Sequence, residues 1–154
     1  MVDADIDPEN PGASIENRWR SIRNRLMALG LDCPVVPDPT GTILEGVVNL
    51  IACKVGVWLM PNNIDSGMLE DFLHGLIADG DKLLPIARKA TTEAMATERR
   101  FPEIHERKAV IHTWLAWQKK PGQPYGLAIK AESFRHDSDT ALTFVSWFRQ
   151  LYGV

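Results

Sequence analysis

The sequence predicts an α/β fold in which a partial sheet of few strands is followed by a helix-rich C-terminal half. Three observations carry that expectation. Residues 15–29 repeat apolar side chains at helical spacing, residues 54–60 form a short apolar run that stops at Pro61-Asn62-Asn63, and several further helical patterns follow between Met68 and the C-terminus. The chain has 154 residues, of which 45% are hydrophobic and 24% charged, so it can bury a core and is expected to form a single domain over 1–154.

Taken in order, Pro8, Pro11 and Gly12 make residues 8–14 a loop, and Ser14 is placed to cap a helix. Ile15, Trp19, Ile22, Leu26 and Leu29 then form an apolar stripe that Gly30 ends. Pro34, Pro37 and Pro39 make 32–41 an extended connection. Ile43–Leu44 and Val47–Cys53 read as short strands around Gly46, and Lys54–Met60 as an inner strand covered on both faces. Met68, Leu69, Phe72, Leu73, Leu76 and Ile77 mark a second helix that ends before Gly80. A third starts near Pro85 and runs towards Arg99, and a fourth covers about 105–118 until Pro121-Gly122-Gln123-Pro124 breaks it. A closing helix over about 138–152 carries Leu142, Val145, Phe148, Leu151 and Tyr152.

Composition excludes some function classes. A net charge of −3 gives no overall attraction to nucleic acid or to an anionic membrane, although it leaves room for a local basic patch. The longest apolar stretch, Val47–Met60, is interrupted by Asn49 and Lys54, so no membrane span is expected. Cys33 and Cys53 lack metal-ligand spacing and read as reduced thiols of a cytoplasmic protein.

The chemistry-bearing feature is the acidic start, Asp3-Ala4-Asp5-Ile6-Asp7. On an extended strand residues i and i+2 point the same way, so Asp3 and Asp5 can present oxygens side by side to a hard cation such as Mg²⁺. A calcium loop counted from Asp3 fails, because its sixth and twelfth positions hold Pro8 and Ser14 instead of Gly and Glu. Two readings stay open: an acidic pair at the end of a core strand, or a solvated acidic terminus. Glu70 and Asp71 begin the second helix, where carboxylates are favourable beside the helix dipole without any function. They also follow the strand edge where Asp3 should emerge, so Glu70 is positioned to complete a metal site. Arg18, Arg20, Arg23 and Arg25 spread over different flanks of the first helix and read as a solvated surface. His74, His105, His112 and His136 show no ligand spacing, and Lys108 lies one helical turn from His112.

The blocks Val2–Asp7, Val55–Asn63, Gly67–Phe72 and Lys108–Gln118 resemble an uncharacterised bacterial family, domain of unknown function 3226. That family is in turn similar to TOPRIM domains, the Mg²⁺-dependent fold shared by topoisomerases, DnaG-type primases and the overcoming-lysogenization-defect nucleases. The resemblance maps the TOPRIM Asp-x-Asp pair onto Asp3 and Asp5, with Asp7 alongside, and implies Mg²⁺ bridging to a nucleic-acid phosphate. It offers Glu70 and Lys108 as accessory catalytic residues. In TOPRIM domains a Glu on an earlier strand acts as general acid/base or ligand, and that strand would lie before Met1. The expectation is therefore a TOPRIM-like domain truncated at its N-terminus: a Mg²⁺-dependent phosphotransfer or nuclease domain when full-length, inactive as this chain. The alternative is a non-catalytic binding or interaction module. An incomplete sheet would leave a strand edge through which the chain could self-associate.

Overall fold

In the computed structural model of the chain, which describes residues 1–4 and 14–154, the first helix forms where the spacing predicts it. Helix α1 spans Ile15–Ala28, and the Ser14 hydroxyl accepts from the Asn17 amide at 3.3 Å. Gly30 follows the last turn with φ 87°. Asp5 and Asp7 lie outside the described residues. Among the described residues the architecture is mixed α/β, with six α-helices and a two-stranded antiparallel sheet. These residues group into two compact units, Met1–Phe72 with Asp139–Val154, and Leu73–Ser138.

In the first unit β1 (Thr42–Val48) and β2 (Ile51–Val57) form a hairpin with Thr42 opposite Val57 and Val48 opposite Ile51. This corrects the strand expected over Val47–Cys53, because the turn falls inside it. Asn49 and Leu50 have φ of 50° and 67°, the doubly left-handed pattern whose twist suits a two-residue hairpin. The β-branched neighbours hid this turn, and no glycine marked it.

Alternation along β2 and its continuation sorts the core. Val57 and Leu59 join Ala4, Ile15 and Trp19, with Val2, Ile22, Leu26 and Val55 packed against them. Leu44, Leu31 and Cys33 form an adjoining cluster that also touches Val55. The opposite face meets α6 (Asp139–Tyr152): Trp58 lies 5.1 Å from Phe144, edge-on, and 5.5 Å from Trp147 between ring centroids. Residues 57–60 are buried as an inner strand should be, whereas Ile51, Ala52 and Lys54 are exposed, so two-sided cover is limited to the second half of the run.

Helix α6 has the expected span, but of the apolar residues expected on it only Leu151 is turned inward, against Gly56. Ala141 and Trp147 are buried, and Phe144 packs with Trp58, Phe72 and Trp147. Leu142, Val145, Phe148 and Tyr152 are exposed. Two apolar stripes share this helix, and the hairpin selects the one carrying Trp147 because bare backbone lies opposite it. A Cβ on Gly56 would come within 2.9 Å of Trp147 Cζ2, and one on Gly41 would overlap the indole. The Trp147 N–H donates to the Thr42 carbonyl at 3.3 Å.

Helix α2 (Leu69–His74), inside which the unit boundary falls, is shorter than expected. Gly75 weakens its continuation, and Leu76 and Ile77 bond back to Leu73 and His74 in i→i−3 turns. In the second unit, α3 (Leu83–Thr97) is preceded by Asp81, whose Oδ1 accepts from the Leu83 and Leu84 amides at 2.9 and 2.7 Å. The same oxygen accepts from the indole N–H of Trp114 at 3.1 Å. Trp114 lies on α4 (Glu106–Leu115), preceded by a 3₁₀ turn at Glu103–His105, and its ring is 5.2 Å from Phe134. A short helix α5 (Tyr125–Lys130), which the apolar spacing does not predict, follows Pro124 and buries Ala128. Among the described residues no helix is long and apolar enough to cross a membrane.

Candidate functional site

The acidic start is positioned by backbone pairing. Val2 forms a parallel bridge with Leu59, its amide donating to the Trp58 carbonyl at 3.0 Å and its carbonyl accepting from Met60 at 2.9 Å. On its other side Ala4 exchanges both backbone hydrogen bonds with Gly67, at 2.8 and 2.9 Å. Residues 2–4 are thus held between the end of the β2 run and the segment leading into α2.

The returning loop is fixed by its own side chains, which is why Pro61-Asn62-Asn63 ends the strand so sharply. Asn63 is 3% exposed with φ 63°, and its Oδ1 accepts from the Leu59 amide at 2.8 Å. Asn62 Oδ1 accepts from the amides of Ile64 and Asp65 at 3.1 and 2.8 Å. Ser66 Oγ accepts from Ile15 N at 3.1 Å and so ties the start of α1 to the same loop.

This clamp brings Asp3 to the start of α2, where its Oδ1 accepts from the Leu69 amide at 3.0 Å. Asp71 Oδ2 accepts from Met68 N at 2.9 Å, and Glu70 is only 6% exposed. Asp3, Glu70 and Asp71 are therefore gathered around one helix start, with Asp3 and Asp71 accepting backbone amides. Lys108 belongs to the second unit and is exposed on the first turn of α4. Of the basic residues on α1, Arg23 donates through Nε to the carbonyls of Cys33 and Pro34 at 3.3 and 3.0 Å, which fixes the extended connection.

The fit to a magnesium ion follows from these contacts. Among the described residues no group of three His, Cys, Asp or Glu side chains could hold a metal ion. Asp3 supplies one hard carboxylate, and one of its oxygens already accepts an amide. The described residues alone therefore do not fit a resident Mg²⁺; Asp5 and Asp7, the other residues expected of such a site, lie outside them.

A second polar constellation lies within the second unit. His74, Arg88, Glu106 and Arg107 surround a pocket of about 230 Å³ that also meets Val110 and Ile111. Arg88 Nη2 is 3.1 Å from His74 Nε2. A guanidinium only donates, so this nitrogen is the acceptor and a neutral His74 carries its proton on Nδ1. Glu106 Oε1 accepts from Thr92 Oγ at 3.4 Å. The sequence gives no spacing signal for this group, because its members come from three separate segments. Nearby in sequence to Lys108, His112 stacks on Tyr125 with centroids 5.0 Å apart, and its Nε2 lies 3.0 Å from the phenol oxygen.

Neither a curated protein nor a solved structure matches the chain. Residues 1–153, which include both constellations, match the family of proteins of unknown function DUF3226, and the chain belongs to that family.

Proposed function

We propose that the chain is a TOPRIM-related domain whose acidic edge, Asp3 with Asp5 and Asp7, binds a divalent cation and through it a phosphate of nucleic acid. The observation that carries this reading is the parallel pairing of Val2 with Leu59. It sets Asp3 beyond the carboxyl end of the β2 run and beside the start of α2, the edge at which ligands of open α/β sheets collect. Glu70, one residue beyond the amide that Asp3 caps, is the accessory carboxylate of this reading.

Cation-bridged binding is the form the side chains support, and no phosphoryl-transfer step is assigned to them. Productive transfer needs ligands held rigidly in place, and Asp3 already has an oxygen engaged by Leu69 N. The test is fluorescence anisotropy of a labelled single-stranded oligonucleotide in Mg²⁺ and in EDTA, with wild type and the D3A/D5A variant. Mg²⁺-dependent binding that the double substitution removes is the expected result. Binding indifferent to both EDTA and the substitutions would overturn the reading. Cleaved oligonucleotide on a gel, lost in E70Q or K108A, would show that phosphotransfer is retained.

A second reading, an interaction module without metal, is favoured by the exposed stripe Leu142, Val145, Phe148 and Tyr152 on α6. Sedimentation of wild type against V145E/F148E tests it: a sedimenting assembly that the charges dissociate supports self-association, and a monomer in both samples rejects it.

A further inference from the structure

We infer that the turn between α4 and α5 is a contact surface for single-stranded nucleic acid, with Trp117 stacking on a base and Lys119 and Lys120 meeting the flanking phosphates. The surface lies within the second unit and needs no metal, so it goes beyond the reading of the acidic edge.

The indoles single it out. Trp19, Trp58, Trp114 and Trp147 are each 4% exposed or less. Each donates its indole N–H, in turn to the Val35 carbonyl, the Pro61 carbonyl, Asp81 Oδ1 and the Thr42 carbonyl. Trp117 is 42% exposed, and its N–H has no acceptor among the described residues. Packing and hydrogen bonding account for the first four side chains in full and leave part of the fifth open to a ligand.

Its setting supplies the rest. Beyond α4 the Leu115 carbonyl accepts from Gln118 N at 3.3 Å and from Gly122 N at 3.1 Å, and Gly122 has φ 68°, so the chain closes into a turn. On the far side Tyr125 stacks on His112, which ties α5 back to α4. The turn is thereby shaped before a ligand arrives, which lowers the ordering cost of binding. Lys119 and Lys120 stand exposed on it, and neither has an ion-pair partner among the described residues. From Trp117 to Ala131 the sequence carries Lys119, Lys120 and Lys130 and no Asp or Glu, in a chain whose net charge is −3.

These features select the partner. Every nucleotide of an unpaired strand offers a flat π face and an anionic phosphate, which an indole and lysines engage together without regard to sequence. In a duplex the bases are stacked on one another and closed to the ring. A bilayer is the poorer fit, because membrane-surface segments bury an apolar face of several side chains. Trp117 is the only large apolar residue between Ala116 and Pro124.

The experiment is fluorescence anisotropy of a labelled oligothymidylate titrated with the full chain in EDTA over a range of salt. Wild type is compared with W117A, W117F, K119Q/K120Q and a control, K89Q, whose lysine pairs with Glu93 on α3. Saturable binding is expected, weakened about tenfold by W117A, less by W117F and not by K89Q. K119Q/K120Q should lower the slope of log affinity against log salt by about 1.4, the value for two phosphates of a single strand. The indole N–H resonance of Trp117, identified by its absence in W117F, should shift on titration, a readout that needs no loss of binding. D3A/D5A should leave the binding in EDTA unchanged, so failure of this surface and failure of the cation site are told apart. No saturable binding in EDTA, affinity indifferent to W117A, or duplex DNA bound at least as tightly would each overturn the proposal. So would a Trp117 resonance perturbed by phosphatidylserine vesicles and not by the oligonucleotide.

Discussion

Trp147 and Trp114 are each almost fully buried, at 4% and 1% exposure, and each donates its indole N–H, yet the two units hold them by different means. In the first unit Trp147 lies against backbone: Gly41 and Gly56 leave room for the ring, and the Thr42 carbonyl accepts from its N–H. In the second unit Trp114 is held by a charge, the Asp81 carboxylate, which also caps α3 through the Leu83 and Leu84 amides. The first arrangement depends on the absence of side-chain atoms, so any added atom damages it. The second depends on one oxygen serving three donors, so it fails when that oxygen is lost and survives changes of shape around it.

The comparison breaks most visibly at Gly41. Gly41→Ala adds a methyl where the indole of Trp147 stands and places it at φ 97°, so overpacking and backbone strain combine. A loss of about 3 kcal/mol in urea unfolding is expected; a loss below about 0.5 kcal/mol would show that the ring moves aside freely. Asp81→Ala should cost about 2 kcal/mol, from a lost cap and an indole left without its acceptor, while Asp81→Asn should recover roughly half of that. Equal losses for both variants would mean that charge, and not only an acceptor oxygen, holds Trp114. Asp3→Ala removes the acceptor of Leu69 N at an exposed position and should cost about 1 kcal/mol in the same assay.

The smallest effect is kinetic. Cys33 is 4% exposed, and burial pushes its thiol above the usual range against the weaker pull of Arg23. A raised value leaves less thiolate at mildly alkaline pH, so iodoacetamide should modify the partly exposed Cys53 first. Mass spectrometry of partially labelled protein checks the order, and equal labelling would show that the β1-side cluster opens readily.

What could be read in the residues beforehand depended on how local the cause was. Helix α1 was legible in full, since the Ser14 cap, the apolar stripe and Gly30 all act within one segment. The turn at Asn49–Leu50 was not: two left-handed residues were needed, and Leu50, 97% exposed, carries no preference for that conformation. On α6 both apolar stripes have helical spacing, and only Gly41, just before the hairpin, and Gly56, within it, select between them. The acidic edge was half legible. Alternate carboxylates point to a common face, but the amide that Asp3 caps is contributed 66 residues away. The His74–Arg88 pocket left no trace in any one segment, because its geometry is made entirely by helix packing.

The central claim, a cation at the Asp3 edge, is most directly tested by paramagnetic broadening of ¹⁵N-labelled protein during titration with Mn²⁺. Broadening centred on the amides of Val2–Ala4 and Gly67–Leu69, and abolished in D3A/D5A, is the predicted result. Broadening spread over other exposed carboxylates such as Asp79 and Asp137, or unchanged by the double substitution, would contradict it.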